Sequence, residues 1–194
     1  AGDFYLGSWK FGFSLSPIHH TNRLPINDSE FPVDLPVSPP TASQVIKINK
    51  PIEFGGYITK SFSKGDVTLS YFDGYDRVFS PSGFNVWQDA NQILPHITDT
   101  VYCYRQTQVR GLGTVLFLGD LTLRSDIAYF TTKDPNNNVE RDFSGNNDFY
   151  TTMTNTHSFK INAEYYQANI QFEFELPWDL QFAGQYVQYD TLSF

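Results

Sequence analysis

Three short turns containing aspartate, each followed by the same kind of strand, constrain the fold of this chain most. The turns are Lys64-Gly65-Asp66, Leu118-Gly119-Asp120 and Pro177-Trp178-Asp179. After each turn apolar and polar residues alternate, as in Val67-Thr68-Leu69-Ser70-Tyr71. Alternation with a period of two indicates a strand with one apolar and one polar face, and glycine and aspartate favour tight turns. The sequence therefore predicts a repeated antiparallel hairpin.

The predicted strands are long. An opening strand runs from Phe4 to Leu15, and further strands precede the turns at Glu53 to Phe62, Thr100 to Phe117 and Phe159 to Leu176. A tilted strand needs about 9–11 residues to cross the hydrocarbon of a membrane, whereas strands of soluble sheets typically have about five or six. The alternation changes phase within the last of these strands, which predicts a β-bulge near Tyr166-Gln167.

Strands long enough to cross a membrane would have to form a closed barrel. Seven strands are predicted in all, whereas bacterial single-chain barrels have an even number. The missing strand is expected either at residues 43–50 or outside this chain. We favour a chain that forms part of a larger barrel, because eight strands enclose an interior that side chains just fill.

The segments between the hairpins are long and polar. Gly74 to Asp99 and Thr132 to His157 are rich in Ser, Pro, Asn and Asp, and Ser16 to Pro51 contains seven prolines. Such composition predicts loops. Short turns at one end of the strands and long loops at the other are typical of outer-membrane barrels.

Composition narrows the function classes. Aromatic residues make up 17% of the chain and charged residues 18%, which is typical of β-sheet proteins. No run approaches the roughly 18 apolar residues of a membrane-spanning helix. The net charge of −8, without a run of Lys or Arg, argues against a nucleic-acid partner. Cys103 is the single cysteine, so neither an intrachain disulfide nor a cysteine-based zinc site is expected.

Several hairpins resemble those of porin-like outer-membrane proteins of Gram-negative bacteria. The resemblance lies in Ile52 to Tyr57, Gly65 to Arg77, Gly119 to Tyr129 and Trp178 to Tyr186. It implies an all-β antiparallel transmembrane β-barrel, or a segment of one, over residues 1–194 as a single domain. It also implies location in the bacterial outer membrane, with the lipid bilayer and small polar solutes as partners and a homo-oligomer or partner protein as further possibilities.

If the apolar faces of the strands contact lipid, the polar faces line a lumen. The predicted pore-lining residues are Lys10, Glu53, Arg110, Arg124, Asp126, Glu164, Gln171, Glu173 and Gln185. Charges on such a wall tune solute choice, and the expected function is passive or selective diffusion of small polar solutes. Salt bridges that merely stabilise a plugged lumen are the alternative interpretation of the same residues.

Other polar groups are interpreted as parts of loops. His19-His20 with Asp28, Glu30 and Asp34 are residue types that bind transition metals, and the segment from Asp134 to Asp142 offers oxygen ligands to hard cations. Both are expected to be solvated loops, so no metal or other cofactor is predicted.

An enzyme is not expected either. The sequence lacks a Gly-x-Ser-x-Gly turn, a His-Glu-x-x-His helix and a phosphate loop. His157 and Ser158 are adjacent on a predicted strand and should point to opposite faces. Two alternatives to the channel stay open. One is a barrel scaffold or sheath that holds a partner protein in the outer membrane, and the other is a secreted β-sandwich carbohydrate-binding module.

Overall fold

The chain is all-β in the part that the structure describes. The structure is a computed structural model that describes residues 1–22, 40–89, 97–134, 138–141, 150–178 and 180–193. All paired strands within these ranges run antiparallel, as predicted. The one helix among these residues is a three-residue 3-10 turn, Ala42–Gln44, and no described helix is long and apolar enough to cross a membrane.

Eleven strands form two sheets. They are β1 (Gly2–Leu6), β2 (Trp9–Ser16), β3 (Glu53–Phe62), β4 (Gly65–Tyr75), β5 (Ser80–Asp89), β6 (Ile97–Cys103), β7 (Gln106–Leu118), β8 (Leu121–Lys133), β9 (Tyr150–Ser158), β10 (Asn162–Leu176) and β11 (Leu180–Ser193). Sheet A has eight strands in the order β1-β2-β3-β4-β7-β8-β10-β11. Sheet B has three, in the order β6-β5-β9. No closed barrel is formed by the described strands, because β1 and β11 each pair on one side only.

The predicted asymmetry of the connections is present in sheet A. Two-residue turns join Leu6 to Trp9, Phe62 to Gly65 and Leu118 to Leu121, and three residues join Leu176 to Leu180. Asp179, in the last turn, lies outside the described residues. The other ends of the strands carry the long connections 17–52, 76–105 and 134–161. We call these two ends of sheet A the turn end and the loop end.

The opening segment is a hairpin, so the prediction of one strand from Phe4 to Leu15 was wrong. Gly7 has a φ of 57°, and the turn there pairs Leu6 with Trp9. Because Leu6 pairs with Trp9, these two residues lie on the same face although they are three positions apart. A strict alternation continued through the turn would place them on opposite faces, and it therefore assigns the side chains of β1 to the wrong face. This hairpin supplies the eighth strand of sheet A. Residues 43–50, where the eighth strand was predicted, contain no described strand beyond a single bridge from Val45 to Tyr102.

Two connections that were predicted to be loops contain sheet B. Strands β5 and β6 lie between β4 and β7, and β9 lies between β8 and β10. The predicted strand from Thr100 to Phe117 accordingly divides at Tyr104-Arg105. Strand β5 pairs with β9 across two different connections, for example Gly83 with Ser158. Such non-local pairing leaves no local signal in a sequence rich in Ser, Pro, Asn and Asp.

A register shift lies close to the bulge predicted near Tyr166-Gln167, but its extra residue belongs to the neighbouring strand and not to β10. Strand β10 pairs with β8 without interruption from Asn162 to Phe174. The register shift occurs between Glu164 and Tyr165, where Leu192 of β11 is the extra residue. The change of phase in β10 therefore reflects a change in what its two faces contact.

Successive hairpins of sheet A are offset by a constant step. Trp9, at the tip of the first hairpin, aligns with Lys60, two residues before the tip of the second. Gly65 aligns with Leu116, and Leu121 aligns with Phe174, each again two residues before the next tip. The offset is therefore two residues per hairpin, or one residue per strand.

The glycine at the second turn cannot accept a side chain. Gly65 has a φ of 146°, and a Cβ there would lie 1.9 Å from the carbonyl oxygen of Val115. Gly119, at the third turn, has a φ of 66° and open space around it.

We expect Gly65→Asn to lower the free energy of unfolding by about 2 kcal/mol or more, because neither the backbone angle nor the space suits a side chain. Gly119→Asn is the matched control, since asparagine tolerates the left-handed region, and its cost should stay below about 1 kcal/mol. Denaturant midpoints followed by far-UV circular dichroism measure both. Equal losses would contradict the described register at Gly65.

Candidate functional site

One face of sheet A is apolar across all eight strands. Residues paired across neighbouring strands point to the same face of a sheet, so the strand register assigns each side chain to one face. The large apolar side chains on this face, here called the apolar face, are Phe4, Leu6, Trp9, Phe11, Phe13, Leu15, Phe54, Ile58, Phe62, Val67, Leu69, Leu112, Leu116, Leu118, Leu121, Leu123, Ile127, Ile170, Phe172, Phe174, Leu176, Leu180 and Phe182. The apolar face extends from the turn end towards the loop end of each strand. It is therefore one continuous surface, which includes Lys60 near the turn end, with its Nζ 4.6 Å from the centre of the Trp9 ring.

No described part of the chain covers this apolar face. Phe13 is 67% exposed and Leu69 is 59% exposed. Of the 23 apolar side chains named on this face, 16 are exposed, whereas only five hydrophobic residues are buried in the whole described part of the chain. Soluble monomers rarely expose a contiguous apolar patch of more than a few hundred Å². The apolar face therefore requires an apolar environment.

The opposite face of sheet A, here called the polar face, carries seven of the nine predicted pore-lining residues. They are Lys10, Glu53, Arg124, Asp126, Gln171, Glu173 and Gln185. Lys10 Nζ lies 3.2 Å from Asp3 Oδ2, and Arg124 Nη1 lies 3.2 Å from Glu173 Oε1. The two cations are thus paired with carboxylates of the same face.

Arg110 and Glu164 were assigned to the polar face wrongly. The register aligns Arg110 with Tyr71 and Tyr129, and it aligns Glu164 with Thr131, all on the side of the apolar face. Both residues lie at the loop end, beyond the last aliphatic positions of that face. The error arose because polarity alone was taken to indicate the polar face.

A polar rim bounds the apolar face at the loop end. A row of Tyr71, Arg110, Tyr129 and Tyr166 crosses four strands, and the Arg110 guanidinium lies 5.9 Å from the centre of the Tyr129 ring. Above this row, Gln106 and Gln108 donate to the carboxylate of Asp73 at 3.1 and 2.7 Å. The face thus changes at this level from aliphatic side chains to aromatic rings and then to hydrogen-bonded polar groups.

The polar face becomes apolar at the same level. Phe72, Val109, Phe130 and Tyr165 form an aligned row on this face, and the rings of Phe130 and Tyr165 stack with centroids 4.6 Å apart. One row closer to the loops, Ala163 is buried. Near the loop end, the apolar side chains therefore lie on the opposite face from the one they occupy along the rest of the strands. This explains the change of phase within β10 from which a bulge was predicted.

Sheet B and the segments packed on it form the main buried core. We call β5, β6, β9, residues 42–46 and residues 138–141 the cap. Val101, Cys103 and Val139 are almost fully buried there. Arg141 donates from Nε and Nη2 to the two oxygens of the buried Asp99, both at 2.6 Å. This ion pair joins residues 138–141 to β6.

Asp134 joins the cap to the end of β8. Its carboxylate accepts hydrogen bonds from Cys103 Sγ and Ser82 Oγ, each at 3.4 Å, and lies 3.3 Å from Arg105 Nε. Burial raises the pKa of the Cys103 thiol to about 12. Asp134 was predicted to lie in a solvated loop, and its burial corrects that prediction. Of its predicted partners, Asn136, Asn137 and Asp142 lie outside the described residues.

His19 is buried at the loop end of β3, so its prediction as a solvated loop residue was wrong. Its Nδ1 lies 2.9 Å from Glu53 Oε1, and Arg77 Nη2 donates to Glu53 Oε2 at 2.8 Å. The side chains of His19 and Glu53 are 5% and 2% exposed. His20 is exposed, and Asp28, Glu30 and Asp34 lie outside the described residues. Glu53 therefore anchors the chain after β2 and does not line an open surface.

His157 and Ser158 point to opposite faces of sheet B, as predicted. His157 aligns with Phe84, on whose ring it stacks at 4.6 Å, and Ser158 aligns with Gly83. These two residues do not form a nucleophile and base pair.

The middle of the polar face contains a groove of about 520 Å³, here called the central groove. Asp66, Asp126 and Asn169 line it with hydroxyl-bearing Thr59, Thr68 and Ser70. Gly111 and Gly113 form part of its floor, and a Cβ on Gly113 would lie 2.8 Å from Asp126 Oδ1. The groove is open because the side chains across the middle strands are small.

Cys103 reports on the integrity of the cap. We expect the native thiol to react with iodoacetamide at pH 8 at least about 100-fold more slowly than in denaturant, because it is buried and fully protonated. Arg141→Ala leaves Asp99 buried without its cation, which typically costs about 3–5 kcal/mol, and should speed the reaction about ten-fold or more. Arg124→Ala, on the polar face, is the control and should leave the rate unchanged. A fast native reaction would contradict the described cap.

Comparisons with known proteins do not assign the chain to a family. No family model matches the chain, no curated protein matches it, and no solved structure matches it.

Proposed function

We propose that sheet A is part of the wall of a porin-like β-barrel in a bacterial outer membrane, through which small polar solutes diffuse. The observation that carries this proposal is the continuous, uncovered apolar face opposite a polar face. In a membrane barrel the apolar side chains face lipid and the alternating polar ones face the lumen. The bilayer supplies the apolar environment that no described residue supplies.

The height of the apolar face fits a bilayer. It extends from Leu121 to Tyr129 in β8 and from Leu176 to Tyr166 in β10. At about 3.3 Å per residue, and with the strands tilted by about 35°, these spans rise about 22 and 27 Å. Outer-membrane barrels have an apolar band of about 25 Å bounded by aromatic residues. Tyr71, Tyr129 and Tyr166 form such a boundary, and Trp9 lies at the turn end.

The stagger of the hairpins supports the same architecture. One residue per strand is an offset of about 3.3 Å across a spacing of about 4.8 Å, so strands whose turns lie at one level tilt by about 35°. Closed barrels require a tilt of about 35–45°. The constant step between Trp9, Gly65 and Leu121 and their partners therefore suits a regular barrel wall.

The wall extends beyond the eight strands of sheet A. In lipid every backbone N–H and C=O must be paired, so β1 and β11 each require a further strand. An eight-stranded barrel has an interior that side chains just fill, so a channel needs more strands. Additional strands, from more of the same chain or from another chain, would enclose a wider, water-filled lumen.

The secreted sandwich alternative is less well supported. A β-sandwich covers the apolar face of one sheet with a second sheet, and the described residues contain no layer over the apolar face of sheet A. The sheath alternative uses the same wall and differs in having a lumen occupied by a partner protein. Conductance separates the sheath from the channel.

We expect the protein, extracted in detergent and reconstituted in planar bilayers, to give stepwise ion conductance, and the same preparation in liposomes to admit small sugars. A water-filled lumen predicts both results. A bilayer-inserted protein without conductance or solute uptake would support the sheath and contradict the channel.

Arginine substitutions at two neighbouring, exposed positions test the lipid-facing assignment. Leu69 lies on the apolar face and Ser70 on the polar face of β4. An arginine near the middle of the bilayer costs about 2–4 kcal/mol on the lipid face of a barrel. We expect Leu69→Arg to lower stability and membrane insertion by that amount and Ser70→Arg to cost less than about 1 kcal/mol. Similar stability of the two variants would show that Leu69 faces water.

A further inference from the structure

We infer that the polar face of sheet A makes the channel cation-selective, with Asp66 and Asp126 as the residues that determine the preference. This inference rests on the proposed channel function and names the class of solute that the channel favours. Rings or walls of carboxylates favour cations in water-filled pores.

The charges of the polar face do not cancel. Its two cationic strand residues, Lys10 and Arg124, are both engaged, Lys10 with Asp3 and Arg124 with Glu173. The side chain of Glu53 is buried and contacts Arg77 and His19. Three carboxylates on this face, those of Asp66, Asp126 and Glu175, have no ion-pair partner in the part of the chain that the structure describes. The remaining charge is therefore negative.

Two of these three carboxylates lie in the central groove. Asp66 and Asp126 line the central groove, whose other polar atoms include the hydroxyls of Thr59 and Thr68. Gly113 leaves the space that the Asp126 carboxylate occupies. Water can fill a groove of this size, so a hydrated cation can approach both carboxylates without losing its hydration shell.

The groove favours cations by its potential and not by chelation. Among the described residues, no three His, Cys, Asp or Glu side chains come together as ligands of a metal ion. Asp66 and Asp126 lie on strands β4 and β8, with β7 between them. Unpaired carboxylates spaced along a water-filled wall raise the local concentration of mobile cations without holding one in place.

The test is the reversal potential of the reconstituted channel in a KCl gradient. We expect K⁺ to be more permeant than Cl⁻. We expect Asp66→Asn together with Asp126→Asn to lower the permeability ratio roughly two- to four-fold, because each removes a unit negative charge from the groove. Asp190→Asn removes the same charge from the apolar side of β11 and should leave the ratio unchanged.

A second measurement needs no variant. Raising the salt from about 0.1 M to about 1 M shortens the Debye length from about 10 to about 3 Å, so the ratio of the unmodified channel should fall towards one. A conducting channel with a ratio of one or less, or with a ratio that the double variant does not change, would overturn this inference alone. Absence of conductance would overturn the proposed channel as well, and the two failures are therefore distinguishable.

Discussion

The architecture depends on one constraint: a fully hydrogen-bonded sheet that is apolar over the whole of one face needs something apolar to contact that face. From β2 to β10, strand pairing provides the backbone N–H and C=O groups with hydrogen-bond partners. It leaves side chains such as Phe13 and Leu69 exposed. Burial of a large apolar side chain is worth about 1.5–3 kcal/mol, so a surface with this many exposed aliphatic and aromatic groups is strongly unfavourable in water. A bilayer removes that cost without a second protein layer.

Both faces of sheet A change character at the same level, where the proposed wall would pass from lipid to water. Near the loop end, the apolar face turns polar at Arg110 and Asp73, while the polar face turns apolar at Phe130 and Tyr165. In the proposed wall, the strands below this level have lipid outside and water inside. Above it they have water outside and the cap beside them, and the cap is where Val101 and Cys103 are buried. A single strand such as β10 therefore belongs to two environments with opposite requirements.

The hairpin repeat, the antiparallel pairing and the contrast between short turns and long connections could be predicted from the sequence, because turn chemistry and period-two alternation are local signals. The turn at Gly7 was missed because a two-residue turn without aspartate looks like continued alternation. Sheet B was missed because the pairing of β5 with β9 is non-local. Arg110 and Glu164 were misplaced because a polar residue at the end of a strand can lie on either face. The burial of His19 against Glu53 depends on residues 34 positions apart and had no local signal.

The central claim, that the apolar face contacts lipid, is tested most directly by the lipid accessibility of consecutive positions in β8. Single cysteines placed from Leu121 to Tyr129 in a Cys103→Ser background can carry a fluorophore, with bromine-labelled acyl chains as the quencher. The account predicts strong quenching at Leu123, Ser125 and Ile127 and weak quenching at Arg124, Asp126 and Ala128, in a strict period of two. Uniform quenching, or no quenching at any position, would contradict it.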